Sequence, residues 1–181
     1  YYSVPKPQRA KGLRITVSTS VFVPKPFTPF QWCAQDMPDD IREKQQALRQ
    51  MLNIRGVHYN WHDSLTSRLE ACFALGDRRM ADVLYRAFEL GCKLDGWSEH
   101  CRYDLWMQAF ADVGVDPAFY ANRARGTDEV LPWDFIDIGV TKDYLLEEWE
   151  RAQRAETTPD CREQCNACGL QRMKGLCAGC E

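Results

Sequence analysis

The sequence predicts a mostly α-helical fold with a strand unit near its start and a small cysteine-rich, metal-binding tail at its end. Three observations predict it. A β-branched run begins at Leu13, amphipathic segments succeed one another from about residue 39 to 155, and five of the nine cysteines fall within residues 161–180. The chain divides accordingly into residues 1–35 (strand and following loop), 36–156 (helical region) and 157–181 (tail).

The strand comes first. "LRITVSTSVFVPKP" alternates apolar Ile15 and Val17 with polar Thr16 and Ser18, and is expected to end at Pro24 and Pro26, because proline has no ladder donor. A lone strand needs neighbours for its backbone, and "GVHYNWH" (Gly56 to His62) is the other good strand candidate. The opening lacks an initiator Met and already leads into a strand, so a piece of something longer is expected.

The helices follow. "DDIREKQQALRQMLNIR" places Ile41, Leu48, Met51 and Leu52 on one face. "SRLEACFAL" begins with the capping-box spacing Ser67-x-x-Glu70 and stops at Gly76. "DRRMADVLYRAFELG" starts from an Asp77 cap, stripes Met80, Val83, Leu84, Ala87 and Phe88, and ends at Gly91. "YDLWMQAFADVG" stripes Leu105, Trp106, Ala109, Phe110 and Val113 before Gly114. Asp116-Pro117 opens a short helix, an acidic cap followed by proline at the first helical position. A last helix runs from about Thr141 to Ala155, burying Leu145, Trp149 and Ala152, until "ETTPD" breaks it.

Composition sets the outer limits. At 181 residues, with 45% hydrophobic content and six Trp, the chain can bury one ordinary core plus an appendage. A net charge of −3 gives no strong nucleic-acid signal, leaving room only for a local patch. No apolar run approaches the roughly 20 residues of a membrane span, and no signal peptide is evident, so a cytoplasmic protein is expected. Cys33, Cys72, Cys92 and Cys101 stand singly among apolar neighbours and read mostly as small buried hydrophobes.

The tail is the strongest local signal. Cys165-x2-Cys168 and Cys177-x2-Cys180 are two turns that each offer a thiolate pair, with Gly169 and Gly179 giving the backbone room to curl. Cys161 is a surplus fifth ligand. The set suits Zn2+ first and an iron–sulfur cluster second, held as a staple, since four thiolates leave no open position for substrate and so short a segment needs ion binding to fold. Cys161-x3-Cys165-x2-Cys168 has the spacing of a radical S-adenosylmethionine (SAM) cluster, but too little chain follows it to build a barrel.

Other chemistry-bearing residues read more plainly. His58 and His62 share one strand face without a third ligand, and read as polar edge residues. His100 and Cys101 are adjacent and diverge by about 100° on a helix, too far to act as a pair. "GDRR" reads as a helix stop, an Asp77 cap and two solvated arginines, or else Arg78 or Arg79 meets a carboxylate or an anionic ligand. "LDGWSEH" and "LPWDFIDIGV" fit cleft lining and tryptophan packing equally. No nucleophile–base pair stands at a useful spacing for a hydrolase.

Longer motifs carry a resemblance. "FVPKPFTPFQW", "LEACFALGDRRMADVLYRAFELG", "DGWSEHCRYDLWMQAF", "LPWDFIDIGV" and "TTPDC" stand here in one order, and the chain resembles the C-terminal region of a B12-binding-domain radical SAM family whose reaction is uncharacterised. The resemblance implies that "RITVSTSVFVPKP" is a late strand of a radical SAM (β/α) barrel followed by a helical accessory region. It also implies a terminal cysteine cluster at Cys161, Cys165 and Cys168. A [4Fe–4S] cluster, SAM and, as a further candidate, cobalamin would belong to upstream chain, and the partner would be the rest of that barrel. No family catalytic residue maps onto this sequence, and the substrate is unknown. On this reading the chain is not catalytic alone. The alternative, from a different class, is a zinc-stapled helical interaction module that grips RNA or protein.

Overall fold

The computed structural model describes residues 1–10 and 12–172. Among these the fold is mostly helical, with six α-helices and one two-stranded parallel sheet. The order is β1 (Ile15–Thr19), α1 (Pro38–Met51), β2 (Val57–Trp61), α2 (Ser64–Ala74), α3 (Met80–Glu89), α4 (Tyr103–Val113), α5 (Pro117–Ala121) and α6 (Lys142–Gln153).

β1, α1 and β2 form a β–α–β crossover, the connection parallel strands require. Ile15 pairs with Val57 and the register runs through to Thr19 opposite Trp61. Gly56 makes the approach possible: at φ +87°, a Cβ there would lie 2.3 Å from the Leu13 carbonyl oxygen. β1 is shorter than its alternating pattern, because pairing stops at Thr19, well before Pro24. No residue of either strand is buried.

The helical body holds two cores. One gathers Leu69 and Cys72 of α2, Val83 and Ala87 of α3, Trp106 and Phe110 of α4, and Tyr120 of α5. The other joins Trp32, Leu75, Leu131, Trp133 and Leu145. The non-helical segment 27–36 supplies Trp32 to the second core, and its Gln31, Trp32 and Gln35 are each 2% exposed. Part of its buried polar inventory is bonded, while Trp32 Nε1 and Gln35 Oε1 are buried without a hydrogen-bond partner among the described residues. Gln31 Oε1 accepts from Trp133 Nε1 at 2.8 Å and from the Phe27 amide at 3.1 Å. Gln35 Nε2 donates to the carbonyls of Phe22 and Ser67.

Several expected details are corrected. α2 starts at Ser64, capped by the Asp63 carboxylate on the Leu65 and Thr66 amides, so Ser67 lies inside the helix and returns its hydroxyl to the Asp63 carbonyl. The earlier acidic cap satisfies the first-turn donors before the serine can. α3 begins at Met80, two residues later than an Asp77 cap implies, although Asp77 still accepts from the Arg79 amide. Leu84 and Phe88 are 54% and 60% exposed, and Met51 is 66% exposed. α3 packs mainly against α4, so only the Met80–Val83–Ala87 side of its wide apolar face finds a neighbour. Gly114 (φ +73°), the Asp116 cap on the Ala118 amide and the Thr141 cap on the Tyr144 amide stand where the sequence places them.

Candidate functional site

The open ends of the β–α–β unit are where parallel-strand folds expose their chemistry. Past the C-terminal end of β1 lies a cleft of about 190 Å³, lined among others by Thr19, Phe22, Asp36, Ile41, Lys44 and Leu48. Thr19 Oγ1 and the Tyr59 hydroxyl share a 2.7 Å hydrogen bond across the sheet. The His62 amide extends the ladder by donating to the Thr19 carbonyl, and Gln45 Nε2 donates to the His62 carbonyl at 2.8 Å, tying α1 to the end of β2. Lys44 forms an ion pair with Asp36, and that carboxylate raises the pKa of the lysine ammonium. The cleft therefore offers an apolar floor and one paired charge at its rim. Sequence reasoning missed Asp36 and Lys44; the available signal was that Asp36 is the first acid in the chain.

The "GDRR" link is an internal node. Arg79 folds back on Asp77, whose carboxylate also accepts from the Tyr120 hydroxyl at 2.9 Å. Hydrogen bonds from Arg79 hold Asp77 down at about 2, while burial, with Asp77 beside it, pushes Tyr120 up to about 12. Arg79 thus meets a carboxylate of its own chain, and Arg78 is exposed. The two tryptophan loops divide. Trp133 is buried on Gln31 and anchors packing, whereas Trp97 is 63% exposed. Cys72 and Cys92 are buried and Cys33 and Cys101 half-buried; burial pushes the Cys72 thiol up to about 12, which makes it inert. His58 and His62 are both exposed.

The tail docks on the start of α6. The Thr141 amide donates to the Cys168 carbonyl at 2.9 Å, and Gly169 lies so close that a Cβ would come within 2.4 Å of the Gly139 carbonyl oxygen. Burial, with Glu148 and the Cys168 and Cys161 thiols nearby, raises Tyr144. Cys161 is exposed and Cys168 half-buried, both as free thiols, while Cys165 is disulfide-bonded. Cys177 and Cys180 lie outside the described residues. Among the described residues no group of three or more His, Cys, Asp or Glu side chains is placed to hold a metal. The turn between Cys165 and Cys168 is nevertheless tightly bent: Ala167 adopts φ 53° and Gly169 φ 110°, and for alanine that conformation costs about 1–2 kcal/mol.

No helix among the described residues is long and apolar enough to cross a membrane. No family model, curated protein or solved structure matches the chain.

Proposed function

We propose that these residues form the C-terminal part of a B12-binding-type radical SAM protein, in which the β–α–β unit completes the edge of a (β/α) barrel and the helical body shapes access to it. The observation that carries this reading is the bare parallel pair. Parallel strands occur almost only in α/β proteins with both faces covered, and two strands alone are marginal in water. Here no strand residue is buried, and Ile15 and Trp61 remain 44% and 43% exposed. Such a pair needs further sheet, and the motifs from Phe22 to Trp32 resemble those that follow a radical SAM barrel strand.

In this reading the radical-generating cluster, SAM and cobalamin are held by upstream polypeptide, where the resemblance places them. Those cofactors would supply a substrate radical and a methyl carrier. The residues of this chain contribute structure and access. β1 and β2 extend the sheet, the Asp36–Lys44 pair borders the space beyond β1, and the helical body covers the open side. The tail serves as a staple that binds Zn2+, or an iron–sulfur cluster, through four of Cys161, Cys165, Cys168, Cys177 and Cys180. The bent Cys165–Cys168 turn supports that role.

The reading frame that encodes the chain provides the test. It should carry an upstream Cys-x3-Cys-x2-Cys segment and βα repeats, and its anaerobically reconstituted product should cleave SAM reductively. A frame that opens close to Tyr1 overturns the reading. It would favour a zinc-stapled interaction module instead, for which the exposed apolar loop at Val130 and Phe135 (85% and 86% exposed) would be the contact surface.

A further inference from the structure

The N-terminal ends of β1 and β2 border a second cleft, apart from the one beyond the C-terminal end of β1. Its basis is an uneven charge distribution. Residues 1–35 contain five Lys and Arg and no acid, a net +5, which leaves eighteen basic against twenty-six acidic residues in the remainder, a net −8. A modestly acidic protein therefore contains a strongly basic segment, and such asymmetry points to a polyanionic partner.

The fold concentrates this charge. The sheet register places Arg14 and Gly56 just before the paired Ile15 and Val57, and the Ile15 amide donates to the Gly56 carbonyl at 2.8 Å. Because Gly56 lets the two backbones close up, Arg14 and Arg55 are drawn to adjacent strand ends. Arg9 joins them from the opening segment, its Nη2 donating to the Tyr2 carbonyl at 2.7 Å and its guanidinium lying 5.7 and 5.8 Å from the Tyr1 and Tyr2 ring centres. Together Tyr1, Tyr2, Arg9, Arg14, Arg55 and His58 border a cleft of about 510 Å³ with no acidic side chain in its lining. Arg14 and Arg55 are exposed and make no ion pair among the described residues.

Three guanidinium groups line one cleft without an acidic side chain, and a ligand with spaced phosphates would supply the counter-charge. Tyr1 and Tyr2, 40% and 58% exposed, add ring faces of the kind on which bases stack. We propose that this cleft binds the phosphodiester backbone of single-stranded nucleic acid, with Arg9, Arg14 and Arg55 on successive phosphates and the tyrosines against bases.

The experiment is fluorescence anisotropy of a labelled oligouridylate titrated with the full 181-residue chain. Three neutralised phosphates predict roughly a twentyfold loss of affinity between about 50 and 200 mM salt. Arg14→Gln and Arg55→Gln should each weaken binding several-fold, whatever the base composition, and flatten the logarithmic salt slope by about 0.7. Unchanged melting temperatures of both variants would show that folding is intact. No binding at low salt, or affinity indifferent to both substitutions, overturns the proposal. Displacement of the oligonucleotide by inorganic phosphate as readily as by unlabelled oligouridylate overturns it too, because the cleft would then be a single-phosphate pocket.

Discussion

The amide of Thr141 donates to the carbonyl of Cys168 at 2.9 Å, so the residue that caps α6 also holds the cysteine tail. Gly169 follows at φ +110° with its α-carbon against Gly139. Gly169→Ala introduces both a left-handed alanine and a clash with a backbone oxygen, and is expected to undock the tail while the helical body stays folded. The half-buried Cys168 thiol should then react several-fold faster with a thiol reagent. Unchanged reactivity would show that the contact does not hold the tail.

The staple has a compositional test. With reductant present to open the disulfide at Cys165, the chain should take up one zinc, and Cys165→Ser should lose it. Loss of the ion should release only the tail, leaving the main thermal transition within about 1 kcal/mol, because a surface appendage contributes little to the core. A brown protein containing iron and labile sulfide would replace zinc with a cluster.

Asp77 makes stability depend on acid. Its carboxyl titrates at about 2 in the folded chain against 3.8 without its partners. The unfolded chain therefore binds the proton first. The contribution is complete above the unfolded value and disappears as pH falls through the folded one. Arg79 is more than half exposed, so screening reduces the benefit to about 1 kcal/mol. Asp77→Asn should cost that much near neutrality and almost nothing near pH 2, measured by urea unfolding at several pH values. Tyr120 has the opposite sense. Its folded value near 12 lies above the ordinary 10, so its contribution is complete below 10 and is lost as pH rises towards 12.

The bond from Trp133 Nε1 to Gln31 Oε1 spans 102 residues of sequence. Gln31→Leu removes the acceptor and leaves the Trp133 indole and the Phe27 amide unsatisfied in a buried place, costing about 2–3 kcal/mol. Trp133→Phe removes the donor. The double variant should cost clearly less than the two together, since the orphaned indole is then gone. Additive costs would mean that the pair is not coupled.

Much of the helical order was legible because it rests on local chemistry. Asp116-Pro117, Gly114 and Thr141 act as cap or stop through atoms within one turn of themselves. The same locality explains the errors: Asp63 and Ser67 are both plausible caps four residues apart, and only the path of the incoming chain decides between them. Periodicity found every residue of the α3 face but not how much of it a single neighbour covers, hence exposed Leu84 and Phe88. The least legible part was "FQWCAQ". Glutamines in an aperiodic segment look like loop, yet Gln31 is buried accepting from the distant Trp133 indole and Gln35 is buried donating to the distant Ser67 carbonyl. The arginine cleft was hidden likewise, since Arg14 and Arg55 come to adjacent strand ends, beside Arg9, only when the strands pair.

Trp32 sits in the second hydrophobic cluster, and its two flanking glutamines reach out from it to other parts of the fold. Gln35 donates to the Phe22 carbonyl just past β1 and to the Ser67 carbonyl of α2, and Gln31 accepts from the Trp133 loop beside which the tail is moored. One ten-residue aperiodic segment thus fastens the stretch after β1 to α2 and to the loop that meets the tail, by three side-chain hydrogen bonds.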